Sequence, residues 1–253
     1  MRLIKNIIFF STFFQLIICN ANATSYSDLS PADQTKVRNS KLVTIPVHLE
    51  NNLLKGEIFK YLPSMTPVML ASVFFDYNQQ YLFLPGMTST HVLEWSGTRA
   101  WVRHRLNPMA FISKAPPKLF QNWFFDLGAY SYDLNEDVQY KDGTYTISWS
   151  MPQEARVLGS EEKGLIRFEP FDIGTLITYQ NATEPFMYET LFNSPHPDVM
   201  IRKIQKFLCR TAQSYYERTV SLFVKRTQEV IDQGEIRDKI QHLMAVLNGD
   251  KAQ

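Results

Sequence analysis

The chain switches between two hydrophobic periods, and the switches mark its elements. Ser30-Pro31-Ala32-Asp33 reads as a helix start, with Ser as cap, Pro at the first helical position and Asp in the first turn; a short helix to about Asn39 is expected. "KLVTIPVHL" and "LLKGEIFKYL" read as strands. From Pro67 onward, Val68, Met69, Ala71, Ser72 and Phe75 recur at spacings near three and four, which predicts a helix to about Tyr77. "NQQYLFL" is then a short helix or turn, stopped by Pro85-Gly86.

After Met87 the period changes to two. "TSTHVLEWS" and "RAWVRHRLN" are joined by Ser96-Gly97-Thr98, a hairpin signal. "AFISK" and "NWFFDLGAYSYDL" continue the strands. "GTYTISWSMP" follows Lys141-Asp142-Gly143, and Asp-Gly is a strong turn pair. "EARVLGS" reads as a short strand, and "GLIRFEPF" and "GTLITYQNA" are joined through Asp172-Ile173-Gly174. Within "TYTISWSM", Tyr145, Ile147, Trp149 and Met151 share one face while Thr144, Thr146, Ser148 and Ser150 share the other. One apolar and one wet face is the pattern of an antiparallel sheet covered on a single side, here of about six or seven strands.

The cover comes last. From Pro197 to Asp232, Met200, Ile204, Phe207, Leu208, Thr211, Tyr215 and Leu222 form one stripe, with Arg and Lys opposite. A helix of about 34 residues there is about 50 Å long. Gly234 breaks it, and a second amphipathic helix, Glu235 to Leu247, either packs back on the body or meets another copy. The fold class is therefore α+β: a curved antiparallel sheet gripping a long C-terminal helix, with space between them. The aromatic segment holding Phe74, Phe75, Tyr77, Tyr81 and Phe83 is expected to close one end of that space as lid and wall.

Composition narrows the function classes. At 253 residues and 45% hydrophobic, the chain suffices for one large domain or two small ones. A formal charge of +1 provides no basic field, so nucleic acid is not an expected partner. Residues 1–23 read as a secretory leader: Arg2 and Lys5 at the front, an apolar run from Ile7 to Ile18, and Ala21-Asn22-Ala23 as cleavage site. The run is shorter than the roughly 20 residues of a membrane-spanning helix. Bulky Ile18 before Cys19 argues against lipidation. Cleavage leaves 24 bases against 25 acids and Cys209 as the lone thiol, so the mature chain has no internal disulfide. Export without disulfides fits a bacterial periplasm.

Catalytic motifs are sparse. His48, His91, His104, His196 and His242 form no His-x-x-x-His or Glu-x-x-His array, and there is no Gly-x-Ser-x-Gly, P-loop or Gly-x-Gly-x-x-Gly. No metal or other cofactor is expected. His91 and His104 stand on neighbouring strands, without a third ligand. Asp126, Asp133, Glu136 and Asp137 read as a solvated strand end. "WVRHR" is the most informative polar patch: alternation turns Ala100, Val102, His104 and Leu106 inward and Trp101, Arg103 and Arg105 outward. His104 is then either a satisfied core histidine or a hydrogen-bonding group for a ligand.

The order of elements and several motifs resemble the START-like helix-grip superfamily, in particular its exported bacterial members. "LSPADQTKV" resembles the helix preceding that domain. "VFFDYNQQYLFLPGMTSTHVLE" resembles the segment leading from its first helices into the second strand, and "GTYTISWSM" and "GLIRFEPFDIGTLITYQ" resemble its later strands. Pro185 and the helix from Pro197 fall at the expected places. The resemblance spans about Leu29 to Val230. It departs where "NATEPFMYE" replaces a Gly-rich turn and where the helix from Glu235 is added.

The resemblance implies one ligand-binding domain over residues 24–232, a helical tail over 233–253, and a hydrophobic cavity for a lipid, sterol, quinone or polyketide-like molecule. The candidate lining is Tyr81 and Phe83 from the aromatic segment, His104, Trp123, Tyr145, Ile147, Trp149, Phe168 and Tyr179 from the strands, and Ile204, Phe207 and Leu208 from the long helix. Cys209 is expected to be a buried small hydrophobe. The leading expectation is an exported, non-catalytic carrier that touches membranes transiently. A cyclase or dehydratase using His104 or a tyrosine, and an interaction protein with a filled core, stay open. Intact-mass measurement of protein exported by its native host is expected to show a start at Thr24; a full-length N-terminus kept in membranes would contradict the leader.

Overall fold

Residues 25–107, 130–153, 161–184 and 198–249 are described by the computed structural model. The leader, "AFISK", Trp123, "EARVLGS" and the stretch 185–197 lie outside the described residues. A short helix α1 (Pro31–Arg38) precedes strands β1 (Val43–Glu50) and β2 (Leu53–Leu62). Helix α2 (Pro67–Phe75) and a 3₁₀ turn (Tyr77–Leu82) lead into β3 (Met87–Ser96) and β4 (Arg99–Leu106). Strands β5 (Tyr130–Lys141), β6 (Thr144–Ser150), β7 (Glu162–Phe171) and β8 (Gly174–Thr183) follow, then helices α3 (Asp198–Asp232) and α4 (Ile236–Leu247).

Local chemistry sets the boundaries. Ser30 Oγ accepts from Asp33 N–H at 3.1 Å and Pro31 opens α1, as its sequence predicts. The β1–β2 and β5–β6 turns place Asn51-Asn52 (φ 49°, 66°) and Asp142-Gly143 (φ 50°, 82°) in the left-handed region that tight hairpins require.

The strands form one antiparallel sheet in the order β1-β2-β8-β7-β6-β5-β4-β3. The sheet has eight strands rather than six or seven, the N-terminal pair included: β2 pairs with β8 from Leu54↔Thr183 to Leu62↔Thr175. β1 and β3 are the edges, and β1 carries Pro46 beside a bulge, where a missing N–H costs least. The connection from β2 to β3 must cross the sheet, and it carries α2 and the 3₁₀ turn over the apolar face.

Those two segments fill the space that the sequence assigned to a lid. Phe74, Phe75, Tyr77 and Phe83 are all buried. Phe74 is the hub: its ring lies 5.4 Å from Phe83, 5.4 Å from Phe223, 6.1 Å from Trp149 and 6.3 Å from Phe168. The aromatic segment is thus core first, and of its large hydrophobic residues only Tyr81 and Leu82 are exposed.

α3 packs across β1, β2 and α2. Its buried stripe along the sheet is Tyr216, Thr219, Val220, Phe223, Thr227 and Val230. That is one residue round from the predicted stripe, with Phe207, Leu208, Tyr215 and Leu222 only half-buried. Two threonines sit in it because each returns its hydroxyl to the carbonyl four residues back, Thr219 to Tyr215 and Thr227 to Phe223, both at 3.0 Å. Cys209 is half-buried beside the core rather than inside it, and burial pushes its thiol pKa up.

α4 packs back on the body. Leu243 and Val246 enter the main core, His242 lies 5.6 Å from the Phe75 ring, and Lys239 pairs with Asp76 at the end of α2.

The sheet and α3 meet most closely at Gly56. A Cβ there would lie 2.6 Å from Val47 Cγ2 and 2.9 Å from the Tyr216 ring. Both neighbours are buried, so neither has free room to yield. Gly56→Ala is expected to cost about 1–3 kcal/mol, measured as a fall in denaturation midpoint. An unchanged midpoint would show that α3 is not held at this contact.

Candidate functional site

β4 is buried at every second residue, Ala100, Val102, His104 and Leu106, so the inward reading of "WVRHR" holds. On the outer face Arg103 reaches its register partner Asp133 with two bonds of 2.8 and 2.9 Å. Asp133 is therefore covered by an ion pair rather than solvated. His91 pairs in register with Arg103 while His104 pairs with Thr90, which puts the two histidines on opposite faces.

On β5 the inward set is Tyr132, Leu134, Glu136 and Val138. Glu136 is 2% exposed, which overturns its reading as part of a solvated strand end. A buried carboxylate needs donors. His104 Nε2 donates to one oxygen at 3.1 Å and Gln80 Nε2 to the other at 2.9 Å. His104 also stacks on Tyr132, centroids 5.4 Å apart. Two atoms of the cluster are left over. His104 Nδ1 and Gln80 Oε1 are buried and have no hydrogen-bond partner among the described residues.

These groups line a pit between the sheet and α3. Phe74, Leu84, Met87, Leu134, Trp149, Tyr179 and Tyr215 supply its apolar wall, and Gln80, His104, Tyr132, Glu136 and Glu162 its polar side. The inner space is about 20 Å³, room for about one water molecule. With the open solvent at its mouth the space is about 350 Å³. Gly164 shapes the wall: a Cβ there would lie 2.5 Å from the Trp149 ring, so glycine lets the indole lie flat across β7. The indole N–H donates to Asn181 Oδ1 at 3.3 Å.

Glu162 is the second acid of the pit. Its residue is half-buried, with its carboxyl accepting from Asn181 and Tyr132. Burial raises its pKa above the usual carboxylate range, and the nearby Glu136 charge adds to this; His104 and the two hydrogen bonds oppose it. Burial likewise raises the phenols of Tyr132, Tyr179 and Tyr215, so these act as neutral O–H groups.

Of the predicted lining residues, the pit brings together His104, Trp149 and Tyr179. Tyr81 is 39% exposed because the 3₁₀ turn points it away from the sheet. Phe83, Ile147 and Phe168 are packed solid in the core around Phe223. Tyr145 faces the other end of the sheet, against Tyr140 and Met244. Ile204 is buried on α3, and Phe207 and Leu208 are half-buried, all three away from the pit wall. Gln80, Glu136 and Glu162 were missed. Strand alternation from Tyr132 was the available signal for Glu136.

No protein-family model matches the chain, and no curated protein matches it. Among solved structures, it is similar to a STAR-related lipid transfer protein from Xanthomonas axonopodis, with 13% identity, TM-score 0.45, and 70% of this chain and 93% of that one covered. It is also similar to an aromatase/cyclase from a Streptomyces species, with 11% identity, TM-score 0.48, and 71% and 96% covered. A third is human StAR-related lipid transfer protein 5, with 11% identity, TM-score 0.42, and 77% and 92% covered. This chain itself has an eight-stranded antiparallel sheet followed by a long C-terminal helix.

The raised Glu162 pKa has a signed consequence. The folded state binds this proton more tightly than the unfolded chain, so the group favours folding below the unfolded carboxyl pKa and disfavours it as pH rises through the folded value. Glu162→Gln removes the ionisation. The variant is expected to melt higher than the parent at about pH 8 and within error of it at about pH 4. Equal melting at both pH values would mean that the carboxyl is solvated.

Proposed function

We propose that this chain binds an apolar small molecule or lipid whose polar end reaches the His104–Glu136–Gln80 cluster. The observation that carries the reading is the pair of orphaned atoms, His104 Nδ1 and Gln80 Oε1, at the base of an aromatic-walled pit. A core that serves packing alone pairs its buried polar groups, because each unmade hydrogen bond costs about 1–3 kcal/mol. Groups left unpaired beside an opening are groups awaiting a partner.

The described conformation is closed. Ligand pockets commonly run about 300–1,000 Å³, far above the 20 Å³ of the pit. Uptake therefore needs wall movement, and the half-buried Leu84, just after the 3₁₀ segment, is part of that wall. Driving force comes from burying the apolar body, about 0.8 kcal/mol per CH₂. We place this activity outside the cytoplasm, with the leader cut after Ala23 and transient contact with a membrane at loading and release.

A second reading has one observation in its favour. His104, Glu136 and Glu162 put a base and two acids in one pit, a composition that suits proton transfer in a cyclase or dehydratase. In that case binding would be the first step of a turnover, so the binding test comes first for both.

Leu84→Trp fills the mouth from a half-exposed position. The variant is expected to melt within about 1 kcal/mol of the parent while uptake of the neutral fluorophore Nile red falls at least about 10-fold. If the parent takes up no Nile red and solvent extracts of the purified protein contain no lipid, the reading fails and a filled-core interaction protein replaces it.

A further inference from the structure

The polar side of the pit has a sign. Its side chains are two carboxylates, a glutamine, a histidine and a tyrosine, and among the described residues no Lys or Arg lines it. The orientation of the glutamine is decided by its bonds. Gln80 Nε2 donates both to Glu136 and to the Phe74 carbonyl, so Oε1, an acceptor, is the end left free. The bond between His104 Nε2 and Glu136 Oε1 leaves Nδ1 as a second buried polar atom without a partner among the described residues. Both residues are 1% exposed, so no bulk water competes for them.

An entering anion would meet two carboxyl groups with no Lys or Arg among the described lining residues to offset them, in surroundings where charges are poorly screened. An entering hydroxyl or ammonium would find an idle acceptor, Gln80 Oε1, and two carboxyl groups. We infer that the ligand is selected for a hydrogen-bond-donating head, a hydroxyl or amine on an apolar body, and that carboxylate- or phosphate-headed lipids are rejected. This rests on the binding reading above and narrows it to a ligand class.

Displacement of Nile red by three probes with one chain length tests it: dodecanol, dodecylamine and dodecanoate, each below its micelle concentration near neutral pH. Dodecanol and dodecylamine are expected to displace the dye at concentrations at least about 10-fold lower than dodecanoate does. In Glu136→Gln combined with Glu162→Gln, which removes both negative charges at nearly constant shape, the gap is expected to shrink through tighter dodecanoate binding. A gap below 10-fold in the parent, or a dodecanoate preference, overturns the head-group inference while leaving the binding reading intact. If none of the three displaces the dye and none binds directly by calorimetry, both fall. A gap unchanged in the double variant overturns the charge argument, because the discrimination would then come from elsewhere.

Discussion

A carboxylate buried in an apolar interior has to be given donors, and Glu136 is the point on which this site turns. Its two donors come from different parts of the chain, Gln80 from the 3₁₀ turn after α2 and His104 from the neighbouring strand β4. The demand for both fixes how the crossover from β2 to β3 sits on the sheet. Removing either partner would leave charge uncompensated in a low-dielectric setting, a far larger penalty than any single surface ion pair carries. The same two donors, once committed to Glu136, leave their own second atoms unpaired. The constraint that orders the crossover therefore also creates the polar base of the pit.

Around that base the aromatic residues divide the labour. Phe74, Phe83, Phe168 and Phe223 fill the volume between sheet and long helix, so most of the space there is occupied by the chain's own rings. Trp149 and Tyr179 stay at the boundary, ring centroids 5.6 Å apart, with the indole laid over Gly164. What remains open is small and lies against the acids. Interiors packed this densely do not deform smoothly. Opening would have to be a discrete rearrangement of one wall element.

Charge sorting separates the two faces of the sheet. Outside, Arg103 and Asp133 form a bidentate pair across β4 and β5, and Arg99 and Asp137 lie 3.8 Å apart on the same strands. Inside, Glu136 and Glu162 face a histidine, a glutamine and phenols. The β5 run of acids thus has two fates decided only by parity: Asp133 and Glu136 differ by three residues and point opposite ways.

Much of the architecture was legible because it depends on local periodicity. The alternation of β4, the Asp142-Gly143 hairpin, the Ser30 cap with Pro31 and the Gly234 break are each decided by neighbours within a few residues, and each appears where the sequence puts it. Three features depended on residues far apart. The Gln80–Glu136 bond spans 56 positions, so local alternation could turn Glu136 inward but could not name the donor it meets. The inner stripe of α3 turned by one residue because Thr219 and Thr227 satisfy their hydroxyls on the helix itself and then pack as apolar groups. The aromatic segment read as a lid because its composition was visible, while its path across the sheet was not. Periodicity determines which side of an element is apolar. Only the tertiary structure decides which apolar sides meet, and with them which polar atoms are left without a partner.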